Sequence, residues 1–416
     1  MNAVVNPDID EQISQHQPGY SLGQDFYCSD EVFQQDMHRV LGQKWLLADH
    51  ASRIPEKGDF FLFTIGTEEI IVIRGEDDSV NAMFNVCRHR GSRVCKDPEG
   101  RRRLLTCPYH AWSYNLDGSL RVARLMPDDF DKKQFGLHRC HVRVFHGLIF
   151  VCLSKDAPPD FDAEYGEFGE LLEFHGIGGA NISVKRDYPT AANWKLVVEN
   201  FLECYHCGPA HPEYCSIHPA DQLLAVGAGP GSGPADAGDK YQAAWDEWKA
   251  QAAALGHPFV EIDRDETTAH MAQLSRLPVN HRGAVSETRD GKAACKLLMG
   301  KFKQTDGGET AFAFNPVSYL FGLNDFAMMV RFTPLDAMNT NVQFTWLVHP
   351  DAVEHSDYDP DNLAWVWDVT TIQDKRITED NQFGIQSRRY QPGPYSEHEL
   401  RVVTFIQWYL LNLAKK

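Results

Sequence analysis

Apolar and polar positions change rhythm twice along this 416-residue chain. Glu31 to Trp45 has helical spacing, which predicts an N-terminal helical segment packed on the domain behind it. From Asp59 the rhythm shortens. Asp59 to Ile65, Glu69 to Arg74 and Val80 to Val86 are apolar runs separated by Gly66-Thr67 and Gly75-Glu76-Asp77-Asp78, which predicts strands. Leu116-Asp117-Gly118-Ser119-Leu120 predicts a hairpin, with Asp-Gly supplying the positive φ of a type I′ turn. Val142 to Leu153 predicts one further strand, and Pro158-Pro159 marks a boundary. Beyond it, Asn193 to Tyr205 and Tyr241 to Leu255 read as helices on either side of a Gly/Ala/Pro-rich loop, Val226 to Asp239. Ala311 to Phe321, Phe326 to Pro334 and Thr340 to Val348 read as strands of an antiparallel sheet. Asp361 to Arg388 is a long helical stretch, and Glu397 to Lys415 a final amphipathic helix. The pattern predicts an α+β protein in three parts: a helical segment (1–45), a small all-β domain (46–157) and a larger domain (158–416) whose antiparallel sheet is flanked by helices.

Composition narrows the class. Hydrophobic content of 43% and charged content of 24% are those of an ordinary globular protein. No apolar run approaches the roughly 20 residues that span a bilayer, and Met1 to Gln17 is too polar for a secretory signal, so no membrane partner is expected. A formal charge of −18 argues against nucleic acid and is compatible with a basic redox partner. Ten cysteines at this length do not make a disulfide framework, so reduced thiols and a cytoplasmic location are expected.

Two of those cysteines carry the chemistry. Cys87-Arg88-His89 and Cys107-Pro108-Tyr109-His110 each offer one thiolate and one imidazole. Two cysteines on one iron and two histidines on the other are the ligands of a Rieske [2Fe–2S] cluster, which neutral imidazole makes easier to reduce than an all-cysteine one. Cys2His2 also suits zinc, although zinc motifs usually pair like ligands in sequence. Arg88, Arg90 and Gly91 flank the first pair, and Pro108, Tyr109 and Trp112 the second. With these motifs the chain resembles the large (alpha) subunits of the Rieske non-haem iron oxygenases, a resemblance strongest at residues 84–118, 193–212 and 365–410. It implies a β-rich cluster domain and a helix-grip catalytic domain.

The second motif is Glu203-Cys204-Tyr205-His206-Cys207-Gly208-Pro209-Ala210-His211-Pro212. His206 is expected at the end of the helix, with Gly208 and Pro209 breaking it so that His211 turns back to the same point. Two imidazoles with one carboxylate on one face leave positions on iron open to dioxygen. Cys204 and Cys207 keep a zinc site open as the alternative; with iron, they and Cys215 need no role beyond packing. The resemblance implies that the carboxylate comes from the long C-terminal helix, where Asp374-Lys375-Arg376-Ile377-Thr378-Glu379 matches the family pattern. Asp374 is the expected ligand and Asp380 its rival. The resemblance also implies that Glu203, three residues before His206 on the same helical face, bridges a cluster histidine of one subunit to an iron histidine of its neighbour. Most ring-hydroxylating relatives have aspartate at this place, and glutamate resembles those that oxidise carnitine and similar amines. Trp112 is a candidate shield for the cluster. Trp365 and Trp367 are candidates for a pocket, with a core role the plainer reading.

Pro18-Gly19-Tyr20-Ser21-Leu22 and Tyr390-Gln391-Pro392-Gly393-Pro394-Tyr395-Ser396 are similar to the branch that demethylates betaines. That similarity implies a monooxygenase using dioxygen and NAD(P)H-derived electrons from a separate flavin- or ferredoxin-type reductase. A head-to-tail homotrimer is expected, with a small quaternary ammonium substrate. An aromatic-ring hydroxylase acting on an aromatic acid is the second reading, and an electron carrier without the mononuclear iron the third.

Overall fold

The computed structural model describes residues 9–227, 235–259, 271–279 and 283–414. The chain divides into two compact units, residues 42–161 and residues 1–41 with 162–416, against the expected boundaries at 46 and 157.

The smaller unit is all β. Strands β1 (Leu46–His50), β2 (Asp59–Ile65), β3 (Glu68–Arg74), β4 (Val80–Phe84), β5 (Glu99–Arg101), β6 (Leu105–Thr106), β7 (Ser113–Tyr114), β8 (Leu120–Val122), β9 (His141–Phe145) and β10 (Leu148–Cys152) form three sheets, ordered β4-β3-β2-β5, β6-β7-β8 and β1-β10-β9. Two expectations change here. The single run from Val142 to Leu153 is a hairpin, because His146 (φ 45°) and Gly147 (φ 80°) both take the positive φ that a two-residue turn demands. In the Asp117-Gly118 turn only Gly118 is left-handed (φ 85°), and the Gly118 N–H bonds the Asn115 carbonyl. The connection is therefore a type I turn closed by a left-handed glycine. Phe60, Ile71, Ile73, Met83, Leu105 and Leu116 form an apolar core with Cys87, Cys107 and Trp112.

The larger unit begins with α1 (Ile9–Gln15), α2 (Gln24–Cys28) and α3 (Asp30–Gln35), the last running on into a π-helical turn, Asp36–Val40. Then come α4 (Phe161–Tyr165), α5 (Gly169–Phe174), β11 (Asn181–Thr190), α6 (Trp194–Phe201), α7 (Cys207–Ala210), α8 (Pro212–Ile217), α9 (Ala220–Gly227), α10 (Ala235–Ala254) and β12 (Gln273–Pro278). The sheet continues with β13 (Gly308–Asn315), β14 (Ser318–Gly322), β15 (Ala327–Asp336) and β16 (Asn339–Val348), and α11 (Pro360–Ile385) and α12 (Leu400–Leu413) end the unit. The six strands form one antiparallel sheet, ordered β11-β16-β15-β14-β13-β12. The run from Ala311 to Phe321 is two strands, β13 and β14. The expected loop from Val226 to Asp239 is shortened at both ends by α9 and α10, where alanines favour helix; its middle lies outside the described residues.

Helix α11 starts where Asp359 accepts the Asn362 N–H at 2.8 Å and Pro360 fits the first turn. It packs on β11, α6 and α8. Arg186 and Tyr188 of β11 fix it by bonds to Asp368, at 2.7 Å each. Helix α6 is capped by Asn193, whose side chain accepts the Lys195 N–H at 3.0 Å and donates to the Ala337 carbonyl at 2.8 Å. The two strings that carry the betaine-branch resemblance meet each other. Tyr20 bridges Pro394, the Ser21 N–H bonds the Gly393 carbonyl, and the Tyr395 N–H bonds the Gly19 carbonyl, the last two at 2.9 Å. No helix among the described residues is long and apolar enough to cross a membrane.

Candidate metal centres and the catalytic cavity

In the smaller unit the two cysteine–histidine loops have the same backbone design. The Cys87 carbonyl accepts the Gly91 N–H and the Cys87 N–H reaches the Ser92 carbonyl; the Cys107 carbonyl accepts the Ala111 N–H and the Cys107 N–H reaches the Trp112 carbonyl. Gly91 (φ 75°) and Ala111 (φ 58°) take the same left-handed corner, alanine at a small steric cost. Buried Asn85 follows β4 and pins the first loop, its Oδ1 accepting the Val94 and Cys95 N–H groups at 2.8 and 2.9 Å. Cys87 and Cys107 are buried, His89 is half-buried and His110 is exposed. The sulfurs thus point inward and the imidazoles outward. The His89 and His110 rings lie 4.5 Å apart, and Trp112 stacks on His89 at 4.8 Å. Tyr114 accepts the Arg88 N–H at 3.1 Å, leaving its own proton for Cys87 Sγ at 3.2 Å. His89 Nδ1 is buried without a hydrogen-bond partner. A two-iron cluster accounts for that orphan and for four donors converging from two equal loops.

In the larger unit Asp374 Oδ1 lies 3.0 Å from His211 Nε2 and 3.3 Å from His206 Nε2. His211 Nε2 and Asp374 Oδ1 are buried yet make no hydrogen bond of acceptable geometry. Lone pairs that converge without a shared proton are what a cation needs, so this donor set fits a metal ion. The outer nitrogens are held in turn. Glu203 Oε1 is 2.6 Å from His206 Nδ1, and Gln373 Oε1 is 2.9 Å from His211 Nδ1 while its amide donates to Glu213 at 2.7 Å. Such outer partners orient imidazole ligands and set their tautomer. Burial would raise the Asp374 carboxyl, and the pull of His206 and His211 instead holds it below the usual range. Asp380 is exposed and pairs with neither imidazole.

Two local expectations are corrected. Helix α6 ends at Phe201, so neither Glu203 nor His206 is helical; His206 caps α7. The cause is Glu203, whose carboxylate takes the Tyr205 and His206 N–H groups and ends the helix early. Cys204 and Cys207, expected as reduced thiols, are joined in a disulfide that closes the loop around His206. As expected of helical residues two apart, the tryptophans point different ways: Trp367 lines a cavity while Trp365 lies under Arg289.

That cavity, of about 190 Å³, opens onto His206, His211 and Asp374. Its floor follows from strand periodicity: Glu309, Ala311 and Ala313 of β13 share one face, with Tyr319 and Phe321 of β14 beside them. The alanines leave the space. Tyr214 and Trp367 close it from α8 and α11.

A second cavity, of about 320 Å³, lies behind His206 and is bordered by Glu199, Tyr27 and Tyr395. Both tyrosines donate to the Glu199 carboxyl, at 2.8 and 3.0 Å, but burial pushes it up to about 7. Its ordinary value near 4.5 holds in the unfolded chain, so this group's stabilisation is complete below pH 4.5 and is lost as the pH rises through 7. Glu199→Gln removes that slope, which amounts to about 3 kcal/mol. Denaturant unfolding of wild type and variant at pH 4.5 and 8 measures it, and equal pH dependence in the two proteins refutes it.

Comparison with known proteins identifies both domains. Residues 44–135 match the Rieske [2Fe-2S] domain, and residues 181–415 match the ring hydroxylating alpha subunit (catalytic domain). The glycine betaine monooxygenase oxygenase subunit of Pseudomonas aeruginosa (strain UCBPP-PA14) is 38% identical over 94% of this chain and 88% of its own. This chain belongs to the ring-hydroxylating alpha-subunit family. Another relative, the glycine betaine monooxygenase oxygenase subunit of Chromohalobacter salexigens, is 37% identical over 96% of this chain and 87% of its own. Among solved structures, a quaternary ammonium Rieske monooxygenase in complex with L-carnitine superposes with a TM-score of 0.68 at 22% identity, covering 96% of this chain and 98% of the other, which shows the shared fold. As a member of this family the protein is an enzyme, the oxygenase subunit of a multicomponent system, with a [2Fe–2S] cluster and a mononuclear iron fed by a reductase.

Sequence reasoning missed Gln373, the cavity acid Glu309 and its buried neighbour Glu287. Gln373 adjoins Asp374 and could have been found as its neighbour. The two glutamates carry no motif.

Proposed function

We propose that this protein removes an N-methyl group from a betaine-like quaternary ammonium compound. The cavity carries the reading. Tyr214, Tyr319, Phe321 and Trp367 surround a space that ends at His206, His211 and Asp374, with Glu309 on its floor. Ring faces and a carboxyl are what a cation without N–H groups can use. The two relatives named for glycine betaine support the same substrate class.

In this reading Cys87, His89, Cys107 and His110 hold the cluster, and His206, His211 and Asp374 hold the iron. When bound, the iron offers open positions to dioxygen and the cluster supplies single electrons that originate in cytoplasmic NAD(P)H. Glu203 fixes the His206 ring and joins it to the cluster histidine of a neighbouring subunit in a homotrimer. Gln373 fixes the His211 ring. The aromatic walls hold the ammonium with one methyl toward the metal triad and keep water away. The balance is one N–CH3, one O2, two electrons and two protons giving N–CH2OH and water. The C–N bond then breaks with its electron pair going to nitrogen, which yields formaldehyde, a tertiary amine and a proton.

Purified enzyme with reductase, NADH and glycine betaine is expected to form formaldehyde in step with oxygen consumed, at about three irons per chain. Tight coupling to an aromatic acid without response to any betaine would overturn the substrate class and leave the family intact.

A further inference from the structure

Glu309 reaches the catalytic cavity half-buried, and its carboxyl hydrogen-bonds Glu287. Glu287 is wholly buried and already accepts two donors, His218 Nε2 at 2.7 Å and Trp367 Nε1 at 2.5 Å. Two carboxyls bonded to each other share a proton, because two bare carboxylates in contact repel. The donors decide which one keeps it. Burial would raise Glu287, but His218 and then Trp367 hold it below the usual range, so it is the carboxylate. Burial first, and then the Glu287 charge, drive Glu309 well above the usual range, so it is the neutral acid.

The neutral acid sits among aromatic rings. Trp367 stacks on Phe321 at 5.7 Å and meets Tyr214 edge-on at 5.6 Å, and Tyr319 stacks on Phe321 at 6.5 Å. Among the described residues, the cavity's other ionisable groups are Tyr214, Tyr319, Glu203, the His206, His211 and Asp374 triad, and Arg401, the one guanidinium or ammonium in its lining. Glu309 alone among them is an acid on the sheet floor with its proton donated to a second, fully buried carboxylate. A fixed cation entering the cavity brings the charge that stabilises two adjacent carboxylates.

We propose that Glu309 determines specificity for a quaternary ammonium ligand by exchanging its proton for the ligand's positive charge. Resting on the substrate class proposed above, this makes binding proton-linked. The O–H bond of Glu309 breaks, its electron pair stays on oxygen, and the proton leaves to buffer. A ligand of the same shape that lacks the ammonium charge triggers no such release.

The test is calorimetric titration of the iron-loaded enzyme with glycine betaine at pH 7, in two buffers of different ionisation enthalpy. Wild type is expected to release about one proton per betaine bound. Glu309→Gln keeps a donor toward Glu287, and unchanged iron content and cluster absorption report that it folds. It is expected to release no proton and to bind betaine at least about tenfold more weakly. The variant is expected to bind 3,3-dimethylbutyrate, in which a tert-butyl group replaces trimethylammonium, as wild type does, without proton release in either. Betaine binding by wild type without proton release, or equal release by the variant, overturns the role of Glu309 and leaves the substrate class standing. If no betaine binds wild type or stimulates oxygen uptake, the substrate class falls and this proposal with it.

Discussion

Asp374→Ala is expected to yield a folded protein that retains its Rieske absorption, loses its mononuclear iron and turns over at least about a thousandfold more slowly. The size follows from the charge stabilisation lost with the metal: several kcal/mol, at about 1.4 kcal/mol for each factor of ten. Among the described residues, Asp374 is the one carboxylate within 3.3 Å of both His206 and His211. Its removal leaves two imidazoles, and two neutral ligands do not retain Fe(II) against water. The proposed cluster ligands Cys87, His89, Cys107 and His110 belong to the other unit and are untouched. Asp380→Ala is the control: this side chain is exposed and pairs with neither imidazole, so iron content and turnover stay at wild-type levels. Iron analysis with electron paramagnetic resonance of the reduced protein reads both variants. Retention of mononuclear iron by Asp374→Ala, or its loss from Asp380→Ala, would overturn the assignment.

The two candidate metal centres were legible because most of their proposed ligands are local. Cys87 and His89, Cys107 and His110, and His206 and His211 come in pairs a few residues apart, so each pair is visible within one short stretch of sequence. Asp374 needed family resemblance, since nothing local ties it to histidines so far back in the chain. The sheet was read at its centre and missed at its edges. Strands β13 to β16 have the apolar content of strands paired on both sides. The unread strands, β11 and β12, are the two edges of the sheet. Lys185, Arg186 and Asp187 blur the alternation in β11, and Arg186 is spent on α11. The end of α6 was misplaced because a side chain, Glu203, and not a helix breaker, stops it. Glu287 and Glu309 were invisible for a different reason. An acid in a sequence reads as solvated, and only the fold reveals that one is buried against another.

Lys195→Met is expected to destabilise the larger unit by about 3–5 kcal/mol, the cost of leaving one member of a buried ion pair alone. Lys195 and Asp36 are both wholly inaccessible to solvent and are bonded to each other. Asp36 follows α3, Lys195 opens α6, and Tyr409 of α12 and Trp194 also donate to Asp36, at 2.7 and 3.0 Å. One carboxylate therefore ties together three separated pieces of chain. Methionine matches the lysine stem in volume, so the loss comes from the charge and not from a void. Two neutral donors remain, too few for a bare carboxylate away from water. Adding Asp36→Asn removes the charge, its carbonyl accepting from Trp194 and its amide donating to the Tyr409 hydroxyl, which turns to accept, and the double variant is expected to regain most of the loss. Because α6 leads directly into Glu203 and His206, the single variant is also expected to shed mononuclear iron before its cluster on mild warming. Denaturant unfolding followed by tryptophan fluorescence, with iron analysis at each temperature, measures both. A cost below about 1 kcal/mol for Lys195→Met would mean that water reaches Asp36, and that the pair does not anchor the helix leading to the iron site.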